Sequence, residues 1–224
     1  TELRILGGLM DRTELLNDIV ETGVVAIVRL SSSENLLRVA EAVVSGGVRH
    51  IEFTMTTPGA LQTLESVSAR LGDEVVMGAG TVLDAETARA AILAGARFIV
   101  APNLNLDVIT ICHRYGIVCM PGALTPTEIL QAWEWGADIV KVFPADSFGP
   151  AYIRAVRAPL PQVRLAPVGG VTVDNTAAYV RAGASCVGVG SSLVNDRLIA
   201  QADWASLTAR ARAFVEAIAE GRSA

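Results

Sequence analysis

Five times in 224 residues the chain writes the same junction: a helix-like segment, a glycine, a small or β-branched residue, then a short apolar run. The copies read "SGGVRHIEF", "LAGARFIVAP", "RYGIVCMPG", "EWGADIVKVFP" and "RAGASCVGVG". Glycine stops each helix because it tolerates the left-handed conformation just past the helix end. The runs that follow are apolar nearly throughout, as parallel strands covered on both faces must be.

Filling the intervals gives eight strands, at 24–29, 48–54, 75–78, 97–101, 117–120, 138–143, 164–168 and 185–189. Helical patterns of about ten to fifteen residues alternate with them, the βαβ rhythm. The caps agree: Asp84 precedes "AETARAAILAG", Thr125 precedes Pro126, and Thr172 or Asp174 opens the next helix. An additional helix, "DRTELLNDIVETG", precedes the first strand, and "DWASLTARARAFVEAIAEG" closes the chain. This predicts an α/β fold: one (β/α)8 barrel domain of the TIM type over residues 1–224, with an extra N-terminal helix. An open doubly wound sheet is the weaker alternative, because the repeat is even and no G-x-G-x-x-G follows the first strand.

Composition narrows the partners. With a net charge of −5, a pI near 5.1 and no basic tract, nucleic acid and acidic membrane surfaces are excluded as expected partners. A small anionic ligand is not, since it needs only local positive potential. Three cysteines, none in a C-x-x-C pair, argue against a disulfide framework or a structural zinc and fit a reducing cytosol. Cys119 and Cys186 lie in apolar runs and read as small core residues. "TELRILGGLM" is too short and glycine-broken to read as a signal peptide, and no run of about eighteen apolar residues exists to span a membrane. A cytoplasmic protein is expected.

In barrels of this type the site lies at the carboxyl ends of the strands. The first strand ends in Arg29, the second carries Glu52 and Thr54, and the third is followed by Thr81. The fourth and fifth end in Pro102 and Pro121-Gly122, the sixth carries Lys141 and Phe143, and the last two end in Gly169-Gly170 and Gly190-Ser191. Residues two apart on a strand share a face. Lys141 therefore goes with Ile139 and Phe143, and Glu52 with His50 and Thr54. If both sets point inward, Lys141 and Glu52 meet near the barrel top.

Each residue also has a plainer reading. Lys141 and Glu52 could be a structural ion pair, but buried pairs are poor stabilisers. Arg29 could be a solvated rim charge, Thr81 a helix cap, Phe143 core, and the glycines ordinary tight turns. His50 and His113 read as ordinary, and Trp133 and Trp135 as cover for a helix face or a subunit contact. What the set can do together is more specific. A lysine in an apolar barrel loses proton affinity, and a neutral amine attacks a ketone to form a Schiff base. The iminium then withdraws electrons from the adjacent carbon–carbon bond. Such chemistry needs a carboxylate to shuttle protons, and Glu52 is the strong candidate on a barrel strand. Arg29 offers a fork for a carboxylate beside the ketone, with Thr81 adding a hydrogen bond. Backbone N–H groups at Gly169-Gly170 and Gly190-Ser191 suit a phosphate.

From about Val24 to Val194 the chain resembles the bacterial 2-keto-3-deoxy-6-phosphogluconate / 4-hydroxy-2-oxoglutarate (KDPG/KHG) aldolases, a class I, pyruvate-dependent family on a (β/α)8 barrel. The motifs are "VVAIVR", "GGVRHIEFT", "GAGTV", "FIVAPNL", "MPGALTPTE", "DIVKVFPA", "APVGGV" and "VGVGSSLV", in that order. The resemblance implies Lys141 as the Schiff-base lysine, Glu52 as the general acid/base, Thr81 in the carboxylate pocket, Pro102 and Phe143 shaping the site, and Gly169, Gly170, Gly190 and Ser191 at the phosphate end. It implies a homotrimer without metal or organic cofactor. The expected reaction is cleavage of a 2-keto-3-deoxy sugar acid, foremost 2-keto-3-deoxy-6-phosphogluconate, to pyruvate and glyceraldehyde 3-phosphate. The 6-phosphogalactonate epimer, 4-hydroxy-2-oxoglutarate, an unphosphorylated sugar acid and a non-catalytic trimeric scaffold are the alternatives. Two positions depart from the family pattern. "EFTMTT" has Thr56 where many members carry the arginine that holds the substrate carboxylate, and Arg29 at the end of the first strand is inferred to take that role. "APVGG" has Val168 where P-T-G-G is usual, which removes a hydroxyl from the substrate's reach.

Overall fold

The computed structural model describes residues 10–29 and 35–223. Its strands are β1 (Val24–Val28), β2 (His50–Thr54), β3 (Val76–Gly80), β4 (Phe98–Val100), β5 (Val118–Met120), β6 (Gly122–Ala123), β7 (Val140–Val142), β8 (Leu165–Pro167) and β9 (Val187–Val189). All pair in parallel. One ladder runs β5-β4-β3-β2-β1-β9 and the other β6-β7-β8. Two seams join them. The Asp138 and Lys141 amides donate to the Cys119 and Pro121 carbonyls at 3.1 and 2.9 Å, and Ser185 donates to Leu165 at 2.8 Å beside a parallel bridge between Val168 and Gly188. The result is the expected closed ring, with β5 and β6 as two halves of one stave broken at Pro121. That break is not visible in the apolar pattern, since proline removes a ladder donor without changing hydropathy.

The staves separate two cores by alternation. Val24, Ala26 and Val28, with Ile51 and Phe53, Met77 and Ala79, and Val140 and Val142, face outward. They meet α2 (Leu36–Ser45), α3 (Ala60–Leu71), α4 (Ala85–Leu93), α5 (Leu106–Tyr115), α6 (Pro126–Glu134), α7 (Gly149–Arg157), α8 (Val173–Arg181) and α10 (Trp204–Arg222). The residues between them, Val25, Val76, Phe98, Val118, Ile139, Ala166 and Cys186, fill the barrel interior. Burial pushes the Cys186 thiol up to about 12, consistent with a core cysteine rather than a reactive one. Cys112 and Cys119 are likewise buried free thiols.

The extra N-terminal helix, α1 (Arg12–Thr22), forms the barrel floor. Asp11 builds a capping box, accepting from the Thr13 and Glu14 amides at 2.7 and 2.8 Å while Glu14 accepts from its own amide at 2.9 Å. Leu15 and Ile19 plug the interior cluster from below. Two polar clamps fix the plug. Arg12 grips Asp138 with contacts of 2.8 to 3.2 Å, and Asp138 also accepts the Cys119 amide at 2.8 Å. His50, wholly buried, meets Asp18 at 2.9 Å. That hydrogen bond first, then the charges of His50 and Arg49, holds the Asp18 carboxyl below its ordinary value against the opposing effect of burial.

The expected caps at Asp84, Thr125 and Thr172 are the observed ones. The third strand runs to Gly80, two residues past the expected 75–78. A short helix, α9 (Asp196–Ala200), and a single 3-10 turn at Gly72–Glu74 had no sequence signal long enough to notice. Among the described residues no helix is long and apolar enough to cross a membrane.

Candidate active site

Alternation along β2 and β7 turns Glu52 and Lys141 inward, onto the upper half of the barrel interior. Their solvent exposure is 2 % and 6 %. Neither side chain has a hydrogen bond or a close ion pair among the described residues. Burial dominates both titrations. It lowers the Lys141 amine, an effect opposed by the Glu52 charge and reinforced by Arg29. It raises the Glu52 carboxyl, opposed by Lys141 and then Arg29. Each group is thus displaced toward its neutral form, the condition for a nucleophilic amine beside a proton-carrying carboxyl. The Lys141 ammonium nitrogen also lies 5.0 Å from the centroid of Phe143, whose ring is 39 % exposed at the mouth.

Room for Glu52 comes from the neighbouring stave. A Cβ on Gly80 would stand 1.6 Å from Glu52 Oε1 and 2.3 Å from its Cδ. One layer lower, a Cβ on Gly78 would stand 2.3 Å from the Phe98 ring. The two glycines of "GAGT" are therefore strand residues that accommodate a catalytic-type carboxyl and a core aromatic. The Gly80→Ala variant must move the Glu52 head group. A displacement of about 1 Å in a reacting group costs roughly 10²-fold in rate, and kcat of this variant is expected to fall by that order with the barrel still folded. An unchanged kcat in a folded variant would show that Glu52 is not needed where it stands.

A cavity of about 740 Å³ lies beside this pair; neither Lys141 nor Glu52 lines it, but Phe143 and Arg29, which act on them, do. Arg29, Phe143, Gly169, Gly170, Gly190 and Ser191 all line it, so six of the residues singled out in the sequence share one space. Gly169 and Gly170 have φ of 98° and 68°, and a Cβ on Gly170 would sit 2.5 Å from the Asp146 Cβ, so this turn demands glycine twice. A Cβ on Gly190 would meet nothing within 4 Å, which makes its emptiness part of the cavity. Val168 lines the wall beside Gly188.

Thr81 and Pro102 sit at the rim after β3 and β4 and do not line this cavity. Thr81 does not cap α4, a task that Asp84 performs by accepting the Thr87 amide at 2.6 Å. Thr81 instead holds φ at 58°, a conformation that costs a β-branched residue about 1–3 kcal/mol and clusters at functional sites. Pro102 presents its backbone to Gly122, where a Cβ would come within 2.3 Å of the Pro102 carbonyl. Thr56 joins a hydroxyl chain after β2, donating to Thr54 at 3.2 Å, while Thr54 and Thr57 lie 3.3 Å apart. Three residues of the site were not singled out in the sequence: Gly80, inside "GAGTV", and the cavity-lining Ser192, inside "VGVGSSLV", and Arg210, which come from beyond the last strand.

Comparison with known proteins agrees with this geometry. The profile of the KDPG and KHG aldolase family matches residues 16–210. A 2-dehydro-3-deoxy-6-phosphogalactonate aldolase of Escherichia coli (strain K12) is 37% identical over 170 residues, 75% of this chain and 83% of that protein. A 2-dehydro-3-deoxy-phosphogluconate aldolase of Treponema pallidum is 36% identical over 187 residues, 83% of this chain and 89% of that protein. Among solved structures, a KDPG aldolase from Legionella pneumophila, with pyruvate captured at low pH as a covalent carbinolamine intermediate, superposes with a TM-score of 0.81 at 29% identity, covering 87% of this chain and 96% of that one. The chain belongs to the KDPG and KHG aldolases, a family of carbon–carbon lyases.

Proposed function

We propose that the chain cleaves a 2-keto-3-deoxy-6-phospho sugar acid, foremost the gluconate, to pyruvate and glyceraldehyde 3-phosphate, with Lys141 as the Schiff-base residue. The observation that carries this reading is a buried amine and a buried carboxyl, both displaced toward neutrality, with the arginine that acts on both lining a neighbouring cavity. The neutral Lys141 amine adds to the C2 ketone, and Glu52 protonates the departing hydroxyl so that water leaves and an iminium forms. Glu52, now a carboxylate, takes the C4 hydroxyl proton as the C3–C4 bond breaks. The electron pair moves into the iminium, the aldehyde leaves, and an enamine remains. Protonation at C3 and addition of water release pyruvate and the free amine.

Arg29 has the charge and the position to hold the substrate carboxylate, since its field reaches both Lys141 and Glu52. Charge-assisted hydrogen bonds support about a tenfold to hundredfold rise in KM for pyruvate in the Arg29→Ala variant, measured in the condensation direction. An unchanged KM would move the carboxylate elsewhere. Thr81 and Pro102 are assigned to the carboxylate side of the rim, and Gly169, Gly170, Gly190 and Ser191 to the phosphate side.

A second reading takes the 6-phosphogalactonate epimer as substrate. It is favoured by Val168, which offers no hydroxyl on the wall that the aldehyde half must face. Parallel assays with the two epimers separate these readings. We also infer a homotrimer in the cytosol. The exposed apolar residues Leu83, Leu106 and Phe148 and the buried free cysteines support this.

The reaction class is tested by incubating the protein with pyruvate, adding borohydride and mapping the product by peptide mass spectrometry. The expected product is N-(1-carboxyethyl)lysine at position 141. Folded protein without that adduct would end the Schiff-base assignment.

A further inference from the structure

We propose that Arg210, on the C-terminal helix α10, reads the terminal charge of the substrate and sets the preference for phosphorylated over unphosphorylated aldehydes. The proposal rests on the reading of a phosphorylated substrate given above.

Helix α10 lies outside the repeating β/α units and buries Leu207, Ala211 and Phe214. Arg210 lies on its exposed side and reaches the wall of the large cavity. Its Nη1 donates to the Ser192 carbonyl at 3.3 Å. Ser192 in turn donates from its hydroxyl to the Val171 carbonyl, which ties the turn after β9 to the turn after β8. The guanidinium is thus anchored to the two loops that carry Gly170 and Gly190, while its remaining N–H groups have no protein partner among the described residues.

Charge makes the placement selective. Among the described residues two cationic side chains line the cavity, Arg29 and Arg210. Arg29 acts on Lys141 and Glu52 and so marks the end where carbon chemistry occurs. Arg210 comes from α10 and is held at the turn after β9, with Ser191 and Ser192 on the same wall. A 2-keto acid with a distal phosphate carries one anionic head for each arginine. Asp196 also lines the distal wall and makes no ion pair among the described residues. Without Arg210 that wall would present a net negative charge to a dianion.

The experiment compares condensation of pyruvate with glyceraldehyde 3-phosphate and with glyceraldehyde, in the wild type and in Arg210→Ala, Arg210→Gln and Arg210→Lys. The readout is the ratio of kcat/KM for the two aldehydes, with thermal melting confirming the fold. In the wild type the ratio favours the phosphorylated aldehyde and falls with added salt. It is expected to drop about tenfold in the alanine and glutamine variants, through KM, and to be largely kept by lysine. A wild-type ratio surviving in Arg210→Ala overturns the proposal. So does restoration by glutamine, which keeps a donor for Ser192 but no charge and would assign Arg210 a purely structural role. A wild-type ratio near unity has a different meaning: it overturns the reading of a phosphorylated substrate itself.

Discussion

Lys141→Ala is expected to abolish turnover and borohydride trapping while the barrel remains folded. The amine is the nucleophile of every covalent step assigned above, and no second lysine exists anywhere in the chain to replace it: Lys141 is the sole lysine among the 18 basic residues. Loss of a nucleophile that acts as one unit with its proton shuttle costs roughly four to six orders of magnitude in kcat. The fold should tolerate the change. The Lys141 side chain carries no hydrogen bond or ion pair among the described residues, and burial already disfavours its charged form. Steady-state assay, circular dichroism and mass mapping together check the prediction. Substantial residual aldolase activity would sink the mechanism.

Glu52→Gln is expected to lower kcat by about 10² to 10⁴-fold, the range of general acid–base catalysis, while leaving slow formation of the pyruvate adduct. The same variant has a second signature in stability. Burial raises the Glu52 carboxyl above its ordinary 4.5, with Lys141 and Arg29 opposing. The folded state then holds a proton that the unfolded state has released. The slope of unfolding free energy with pH is therefore negative from 4.5 up to the raised value, and wild-type stability declines across that window. Glutamine cannot titrate, so this decline should be absent. The melting temperature of Glu52→Gln relative to wild type should rise with pH across the window that opens at 4.5 and closes at the raised value. A constant difference across that range would mean that the carboxyl is not desolvated, and the kinetic argument would lose its basis.

The fold was legible because the junction glycines punctuate apolar runs of strand length, and nothing but a repeated β/α unit satisfies that pattern. The facing of each strand was less so. With both faces buried, as in β1 and β7, hydropathy does not tell interior from exterior. Only the polar intruders Lys141 and Glu52 break the tie. Gly78 and Gly80 were obscure for the opposite reason. A glycine signals a turn when seen alone, and its use as a hollow for Phe98 or Glu52 requires knowing which stave lies alongside. Thr81 was recognisable as a rim residue but not its left-handed backbone. Arg210 was unreadable from local sequence, because α10 looks like any amphipathic helix until its packing shows which side reaches the cavity. The floor helix was recognised as a helix. Its task was hidden, since Arg12 finds Asp138 at a separation of 126 residues.

The floor has a meaning for assembly as well as for enclosure. Leu15 and Ile19 gather neighbours from Val25 near the start of the barrel and Cys186 near its end, and the Arg12 and Asp18 clamps draw on β2 and the approach to β7. No contiguous half of the chain offers all these partners. The seat of α1 is complete only when the first and last staves have met, so a helix that precedes every stave acquires its full set of contacts among the last. It is a latch that records ring closure, set at the end of the barrel where it does not touch the chemistry.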